Sequence, residues 1–285
     1  MSALRELMQP SRLTEVVDIG ANPLVDTPPY LPMLRDGLCR VTGFEPQPDA
    51  LARLERAAGP HERYLPAAIG DGERHTLHVC AESGFTSLFE PDAAQLALLT
   101  DFPRLAEVVD RVDVDTTRLD DITEIELLDH LKIDVQGAEL MIFRNGRERL
   151  RTATSIQLEV NFHRLYVDQP TFAEVDVELR TQGFVPQAFV ATKTWPLAPV
   201  QWADRDAPTD EAHARQLVEA DMLYVRDLAR LDDAETVDDE ALKHLALVMH
   251  HVYDQHGVAL IALRELIRRG ALDPSAEAAY RSHPV

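Results

Sequence analysis

The sequence predicts an α/β fold in which a doubly wound, mostly parallel sheet is followed by a C-terminal helical hairpin. Short apolar strand segments alternate with amphipathic helical segments between residues 15 and 183, which is the pattern of a parallel sheet with crossover helices. Two consecutive strand segments then follow, Phe184 to Thr194 and Met222 to Arg226, with no clear helix between them. This pair indicates an antiparallel strand at one edge of the sheet.

The charge of the chain excludes some classes of partner. Lys and Arg total 28 against 49 Asp and Glu, a formal net charge of −21. Such a field repels nucleic-acid phosphates and anionic membrane surfaces, so we predict neither as a partner. A small-molecule, glycan or protein substrate fits better.

The two cysteines, Cys39 and Cys80, each lie in an apolar, strand-like run. We interpret them as buried free thiols of a reducing compartment, because two such residues make neither a disulfide framework nor a metal-binding motif. Residues 1–11 contain no apolar core of a signal peptide, and no apolar run reaches the length of a membrane span. We therefore expect a cytoplasmic protein.

The first strand segment, Glu15 to Gly20, contains Asp18 and runs into Ala21 and Asn22. It is typical of the first βα unit of a nucleotide-binding sheet. There a small residue lets the backbone approach the ligand, and the carboxylate orders the loop or binds the ligand. The proline-rich loop at residues 23–30 lacks the later glycines of a dinucleotide fingerprint, so the alternative of an NAD-dependent oxidoreductase has little support.

The second strand segment begins at Cys39 and ends at Glu45, where an acidic residue is well placed to accept both hydroxyls of a ribose. A third strand is predicted from Tyr64 to Ile69. Polarity then alternates from His75 to Cys80, which predicts an antiparallel edge hairpin.

The stretch from Leu131 to Gly146 is the centre of the pattern. Its alternating start predicts a strand, Gly137 interrupts that period, and the following apolar residues predict a short helix. Asp134 falls near the carboxyl end of this strand, which is the end where ligands bind in open α/β sheets. A ligand-binding carboxylate and a solvated turn aspartate explain this position equally well. The next buried strand, Ser155 to Asn161, carries Glu159 near its own carboxyl end.

The character of the chain changes after Asp227. An acidic stretch precedes two helical patterns, Ala241 to His256 and Val258 to Arg269, with Gly257 and Gly270 as their stops. We therefore divide the chain into a domain at residues 1–227 and a helical extension at residues 228–285. The hairpin must cover an apolar surface, either on its own sheet or on a second copy, so a homodimer through these helices is one alternative.

Four segments together resemble the FkbM family of S-adenosylmethionine-dependent class I methyltransferases. They are residues Val17–Asn22, Gly43–Pro46, Leu131–Glu139 and Leu158–Val160. The resemblance covers residues 14 to 226, and its third segment is the specific one. It implies a Rossmann-like sheet of seven strands with the last strand antiparallel, and an O-methyltransferase that acts on a sugar or another small metabolite.

The resemblance also implies cofactor-binding residues. Asp18, Gly20, Ala21 and Asn22 would form the cofactor loop, Glu45 with Pro46 would hold the ribose, and Ala68 with Ile69 would flank the adenine. Our own hypothesis adds Asp134, which we expect to face the transferred methyl group. Many family members have a glycine where Leu24 stands here, behind Pro23, so the loop differs from the family pattern.

Transfer to a hydroxyl gains from a general base within hydrogen-bonding reach. We predict that Asp134 takes or positions the acceptor proton, with Glu159 and His163 as its partners. A variant places a divalent cation between Asp134 and Glu159, since carboxylates suit hard cations. The alternative from another class is a non-catalytic cofactor-binding or interaction protein with a degenerate cofactor loop. The same sheet hosts many functions, so the fold alone does not decide.

Overall fold

The computed structural model describes residues 3–22, 27–198, 214–231 and 237–282. In chain order, the strands are β1 (Thr14–Ile19), β2 (Cys39–Phe44), β3 (Glu62–Leu65), β4 (Ala68–Gly70), β5 (Arg74–Cys80), β6 (Val108–Arg118), β7 (His130–Ile133), β8 (Ser155–Asn161), β9 (Phe184–Pro196) and β10 (Arg215–Arg226). The α-helices are α1 (Ala3–Met8), α2 (Leu31–Arg35), α3 (Pro48–Ala57), α4 (Ala93–Leu96), α5 (Phe102–Leu105), α6 (Glu139–Arg144), α7 (Arg147–Leu150), α8 (Phe172–Thr181), α9 (Asp239–His251), α10 (His256–Arg268) and α11 (Ser275–Ser282).

The main sheet has seven strands in the order β3-β2-β1-β7-β8-β10-β9. The pairs from β3 to β8 are parallel, whereas β10 runs antiparallel to both β8 and β9. The predicted doubly wound sheet with an antiparallel last strand is therefore confirmed, with β10 one place inside the edge strand β9. Because the strand order reverses between β1 and β7, their carboxyl ends form the switch point where ligands bind in such sheets.

A second, three-stranded sheet has the order β4-β6-β5. The segment predicted as one third strand is divided between β3 and β4, and β4 leaves the main sheet to pair with β6. Residues 75–80 form an antiparallel pair, as predicted. Their main partner is β6, from which they are separated in sequence by residues 81–107. Alternation of polarity shows which faces of a strand are buried, and it carries no information about a partner that is distant in sequence.

Alternate side chains of the main sheet enter two separate cores. Val17 and Ile19 of β1 face a core closed by α6, α7 and α8, whereas Val16 faces a core closed by α1, α2 and the helices after β10. Burial of both faces explains why the strand segments are apolar nearly throughout.

The C-terminal helices pack on the sheet of their own chain. Leu242 and Leu245 of α9 and Leu263 of α10 share a core with Val41 of β2 and Val225 of β10. The apolar faces that prompted the dimer alternative are thus used within the chain. α9 ends at His251, Gly257 lies inside α10, and α11 adds a third helix to the predicted hairpin. The division into domains at residue 227 stays a prediction.

A third, smaller core gathers residues from α4, α5 and β10 with Leu165 and Tyr166, and Trp195 packs against it. The thiols of Cys39 and Cys80 are free and buried, as predicted. No helix among the described residues is long and apolar enough to cross a membrane.

Candidate cofactor and acceptor site

The carboxyl ends of β1, β2 and β7 meet at one edge of the sheet. The backbone N–H of Gly20 donates to the carbonyl of Phe44 at 3.1 Å, and the N–H of Asp134 donates to the carbonyl of Ile19 at 3.0 Å. These bonds continue the parallel ladders past the last strand residues. They bring the glycine turn after β1 directly beside Asp134 after β7.

Gly20 is required by this close approach. It has a φ of +81°, and a Cβ atom built on it would lie 2.0 Å from the carbonyl oxygen of Asp134. We expected a small residue here so that the backbone can approach a ligand. The structure shows that the neighbouring strand end already demands glycine.

Asp18 is 2% exposed and orders the loop from within the fold. Its Oδ2 accepts a 2.6 Å hydrogen bond from the hydroxyl of Tyr30, and its Oδ1 lies 3.4 Å from the Nζ of Lys132. Among the described residues, Oδ1 has no hydrogen bond. Of the two roles that we left open for Asp18, the loop-ordering role has direct structural support, and ligand binding stays a prediction.

The rest of the predicted cofactor loop follows directly. The N–H of Ala21 donates to the carbonyl of Phe44, and the N–H of Asn22 donates to the carbonyl of Gly20 at 2.8 Å. Pro23 and Leu24, where the loop departs from the family pattern, lie outside the described residues.

Glu45 follows β2 and is 3% exposed. Its Oε1 accepts the backbone N–H of Gln47 at 2.8 Å, and burial raises the pKa of its carboxyl group. Pro46 beside it is partly exposed. Ala68 and Ile69 belong to β4 in the second sheet. The side chain of Ile69 is buried in the core that α6, α7 and α8 close.

Asp134 is partly exposed, and its Oδ1 accepts a 2.8 Å hydrogen bond from the side-chain amide of Gln136. The same amide nitrogen donates to Oε1 of Glu159 at 3.2 Å. The two carboxylates that we predicted to act together are therefore joined through one glutamine. Nothing in the spacing of the sequence identified Gln136 as that bridge.

Glu159 is buried, and its Oε2 accepts a 3.1 Å hydrogen bond from the Nζ of Lys193. The same ammonium lies 2.9 Å from Oε1 of Glu219. Burial, followed by the charges of Asp134 and Glu219, raises the pKa of Glu159 well above its ordinary value. Glu159 thus holds a proton more readily than an exposed glutamate.

The structure does not bring His163 to this pair. Its ring Nε2 lies 3.3 Å from the carbonyl oxygen of Gln95 at the end of α4, and its backbone N–H donates to the carbonyl of Val218. The position after β8 was predicted correctly. The direction of the side chain depends on α4, which is distant in sequence.

Glu139 closes the turn between β7 and α6. Its two oxygens accept the N–H groups of Val135 and Gly137, each at 3.0 Å. Burial raises the pKa of Glu139 to about 7. This acid therefore shapes the turn that carries Asp134.

Across residues 3–22, 27–198, 214–231 and 237–282, no group of three or more His, Cys, Asp or Glu residues is arranged to hold a metal ion. The cation variant thus rests on Asp134 and Glu159 alone, and Gln136 bridges these two.

A sequence model described as the methyltransferase FkbM domain matches residues 18–186. No curated protein matches the chain in sequence.

The solved structures to which the chain is similar include three methyltransferases, each at low identity. The magnesium protoporphyrin IX methyltransferase of Synechocystis PCC 6803 with bound SAM is 13% identical over 79% of this chain and 77% of that one, with a TM-score of 0.37. The precorrin-6y C5,15-methyltransferase of Geobacter metallireducens is 14% identical over 79% and 85%, with a TM-score of 0.36. A SAM-dependent methyltransferase of Aquifex aeolicus is 9% identical over 75% and 82%, with a TM-score of 0.32.

The family match spans more than half of the chain and contains Glu45, Asp134 and Glu159. Of the four segments that carried the resemblance, three lie entirely within the match. The remaining one, Val17–Asn22, lies within it except for Val17. The chain therefore belongs to the FkbM family of S-adenosylmethionine-dependent methyltransferases.

Proposed function

We propose that this methyltransferase acts on a hydroxyl group of a sugar or another small metabolite. The observation that carries the proposal is the Asp134 carboxylate. It is partly exposed at the switch point of the sheet, directly beside the glycine turn, and accepts one hydrogen bond from the described residues. That leaves Oδ2 to accept the proton of an acceptor hydroxyl.

The residues present fit the cofactor of the family. When bound, S-adenosylmethionine supplies an electrophilic methyl group. Glu45 is a nearly buried carboxylate of which one oxygen already accepts a backbone N–H, so it offers the remaining acceptor capacity to ribose hydroxyls. We assign the cofactor site to Asp18, Gly20, Ala21, Asn22, Glu45, Pro46, Ala68, Ile69 and Asp134.

Asp134 and Glu159 have different environments, and we assign them different roles in the reaction. Asp134 takes or positions the acceptor proton. The raised pKa of Glu159, caused first by burial, favours its protonated form, so it acts as a partner that limits the negative charge around Asp134. The ring of His163 contacts the carbonyl of Gln95 in α4, so we assign it no direct proton transfer with the acceptor or with Asp134.

Lys193 supplies a positive charge beside Glu159 and Glu219, at the place where we expect the methyl acceptor to bind. Its ammonium lies between Glu159 and Glu219 and is 39% exposed, so a polar acceptor reaches it from solvent. The two buried free thiols fit a reducing compartment, and we place the protein in the cytoplasm.

The first test measures cofactor binding by calorimetry with S-adenosylhomocysteine. We expect micromolar affinity for the parent protein, a loss of at least about tenfold in Glu45→Ala, and no change in Glu55→Ala, an exposed acid on α3. Equal affinity in both variants would remove Glu45 from the site.

The second test measures transfer of a labelled methyl group to a panel of sugars and other hydroxylated metabolites. For the best acceptor, Asp134→Asn should lower kcat by about 10² to 10⁴, whereas Asp113→Asn on β6 should have no effect. Cofactor binding without turnover on any hydroxyl acceptor would favour the non-catalytic alternative. Full activity of a folded Asp134→Asn protein would exclude Asp134 as the base.

A further inference from the structure

Gln136 has an unusual backbone conformation for its residue type. Its φ is +55°, in the left-handed region, between Asp134 and the left-handed Gly137. A non-glycine residue costs about 1 kcal/mol or more in this region, and such residues cluster at functional sites. A glycine would relieve the backbone here, so the side chain of Gln136 is the feature to explain.

The side chain of Gln136 is used in full. Its amide nitrogen donates to Oδ1 of Asp134 at 2.8 Å and to Oε1 of Glu159 at 3.2 Å. Its Oε1 lies 3.1 Å from the hydroxyl of Tyr166, a residue that is 1% exposed. The backbone carbonyl of Gln136 accepts a 2.6 Å hydrogen bond from the hydroxyl of Ser87.

These partners orient the amide in one direction. A carboxylate oxygen that carries no proton only accepts hydrogen bonds, so the NH₂ group faces Oδ1 of Asp134 and Oε1 of Glu159. The Tyr166 hydroxyl carries one proton, which it shares between two acceptors at 3.1 Å each, the amide oxygen of Gln136 and the backbone carbonyl of Phe85. The orientation of Gln136 is thus coupled to the third core, which contains Tyr166.

Resting on the function proposed above, we infer that Gln136 is a positioning residue for the methyl-transfer reaction. Through Nε2 it directs one oxygen of Asp134 away from the acceptor, so that Oδ2 faces the acceptor hydroxyl. It also holds Glu159 beside Asp134 without direct contact between two carboxylates. Gln136 itself touches neither the acceptor nor the reacting atoms in this scheme.

The test compares Gln136→Leu, which keeps the size but removes the amide, with Gln182→Leu. Gln182 is a matched control because its amide also donates to a carboxylate, that of Glu178, and to a carbonyl, that of Phe143. For the acceptor found above, kcat should fall at least about tenfold in Gln136→Leu. The KM for S-adenosylmethionine and the affinity for S-adenosylhomocysteine should remain unchanged, and Gln182→Leu should retain kcat.

A second readout needs no acceptor. The carboxyl carbon of Glu159, assigned by Glu159→Gln, is titrated by ¹³C NMR. Loss of a donor to its ionised form should move the midpoint upward by about half a unit or more in Gln136→Leu and leave it unchanged in Gln182→Leu. Unchanged Glu159 titration in a folded Gln136→Leu protein would overturn the inference, as would unchanged kcat.

If Gln136→Leu does not fold, Tyr166→Phe serves in its place. It removes the oxygen that orients the amide, so it should give smaller changes of the same sign, and their absence would again overturn the inference. A parent protein that binds the cofactor but methylates no hydroxyl acceptor would refute the proposed function. The Glu159 titration would still decide whether Gln136 controls the carboxylate pair.

Discussion

The hydroxyl of Tyr30 donates a 2.6 Å hydrogen bond to Oδ2 of Asp18, and both side chains are buried. Tyr30 immediately precedes α2, so the bond ties the chain after the proline-rich loop to the strand before it. Burial, followed by the negative charge of Asp18, raises the pKa of Tyr30 well above its ordinary value. Asp18 therefore accepts, and Tyr30 stays protonated.

We expect Tyr30→Phe to lower the free energy of unfolding by about 1.5 to 3 kcal/mol, the usual range for a hydrogen bond to a charged group. It should also weaken binding of S-adenosylhomocysteine, because the chain that follows the loop after Gly20 loses its hydrogen bond to Asp18. Urea unfolding and calorimetry measure both. Tyr64→Phe is the control, since its hydroxyl bonds to Glu62. Equal cofactor affinity in both variants would contradict a role of Tyr30 in the loop.

Gly20→Ala should disrupt the switch point. Its Cβ would lie 2.0 Å from the carbonyl of Asp134 at a φ of +81°, so clash and backbone strain add together. We expect a loss of at least about 2 kcal/mol in the free energy of unfolding and no measurable cofactor binding. Gly37→Ala is the matched control: its φ is +66° and nothing lies within 4 Å, so only backbone strain applies. Similar losses in both variants would show that the contact with Asp134 does not matter.

Glu139→Gln should change how stability depends on pH. The pKa of Glu139 is about 7 in the folded protein because of burial, against about 4.3 in an unfolded chain. Between these values the unfolded chain has lost the proton and the folded protein retains it, so this group lowers stability as pH rises. The parent should therefore lose stability from about pH 5 to about pH 8 relative to Glu139→Gln. Urea unfolding at both pH values checks this, and exposed Glu148→Gln should follow the parent.

Tyr253 links the C-terminal helices to the sheet. Its hydroxyl lies 2.9 Å from Nε2 of His130 and 2.8 Å from Oε1 of Gln157. Burial lowers the pKa of His130 to about 4, so its ring is neutral near pH 7 and carries one N–H. The network is satisfied when Nε2–H donates to Tyr253 and the Tyr253 hydroxyl donates to Gln157.

Tyr253→Phe leaves the His130 N–H and the Gln157 oxygen buried without this partner. We expect a loss of about 1 to 3 kcal/mol in the free energy of unfolding, with unchanged affinity for S-adenosylhomocysteine. Tyr280→Phe, whose hydroxyl bonds to the half-buried His250, should cost less. Unaltered stability of Tyr253→Phe would show that the helices are held by their apolar contacts alone.

The sequence by itself determined the parallel sheet and the positions of Asp18, Glu45 and Asp134 at strand ends. Alternation of side chains and glycine turns are local properties, and in a parallel sheet they place the strand ends at one edge. The family resemblance extended this to seven strands and to the class of cofactor. The observed sheet confirmed the number of strands, and the family match confirmed the class of cofactor.

The tertiary structure alone decided which side chains meet at that edge. Three hydrogen bonds at the site join segments that lie far apart or on opposite sides of a turn. Tyr30 donates to Asp18, Gln136 donates to both Asp134 and Glu159, and Lys193 donates to Glu159. The same holds for His163, which turns to α4, and for β5, which pairs with β6. Local patterns report burial and turns, whereas hydrogen-bond partners depend on packing between distant elements, which no spacing in the sequence encodes.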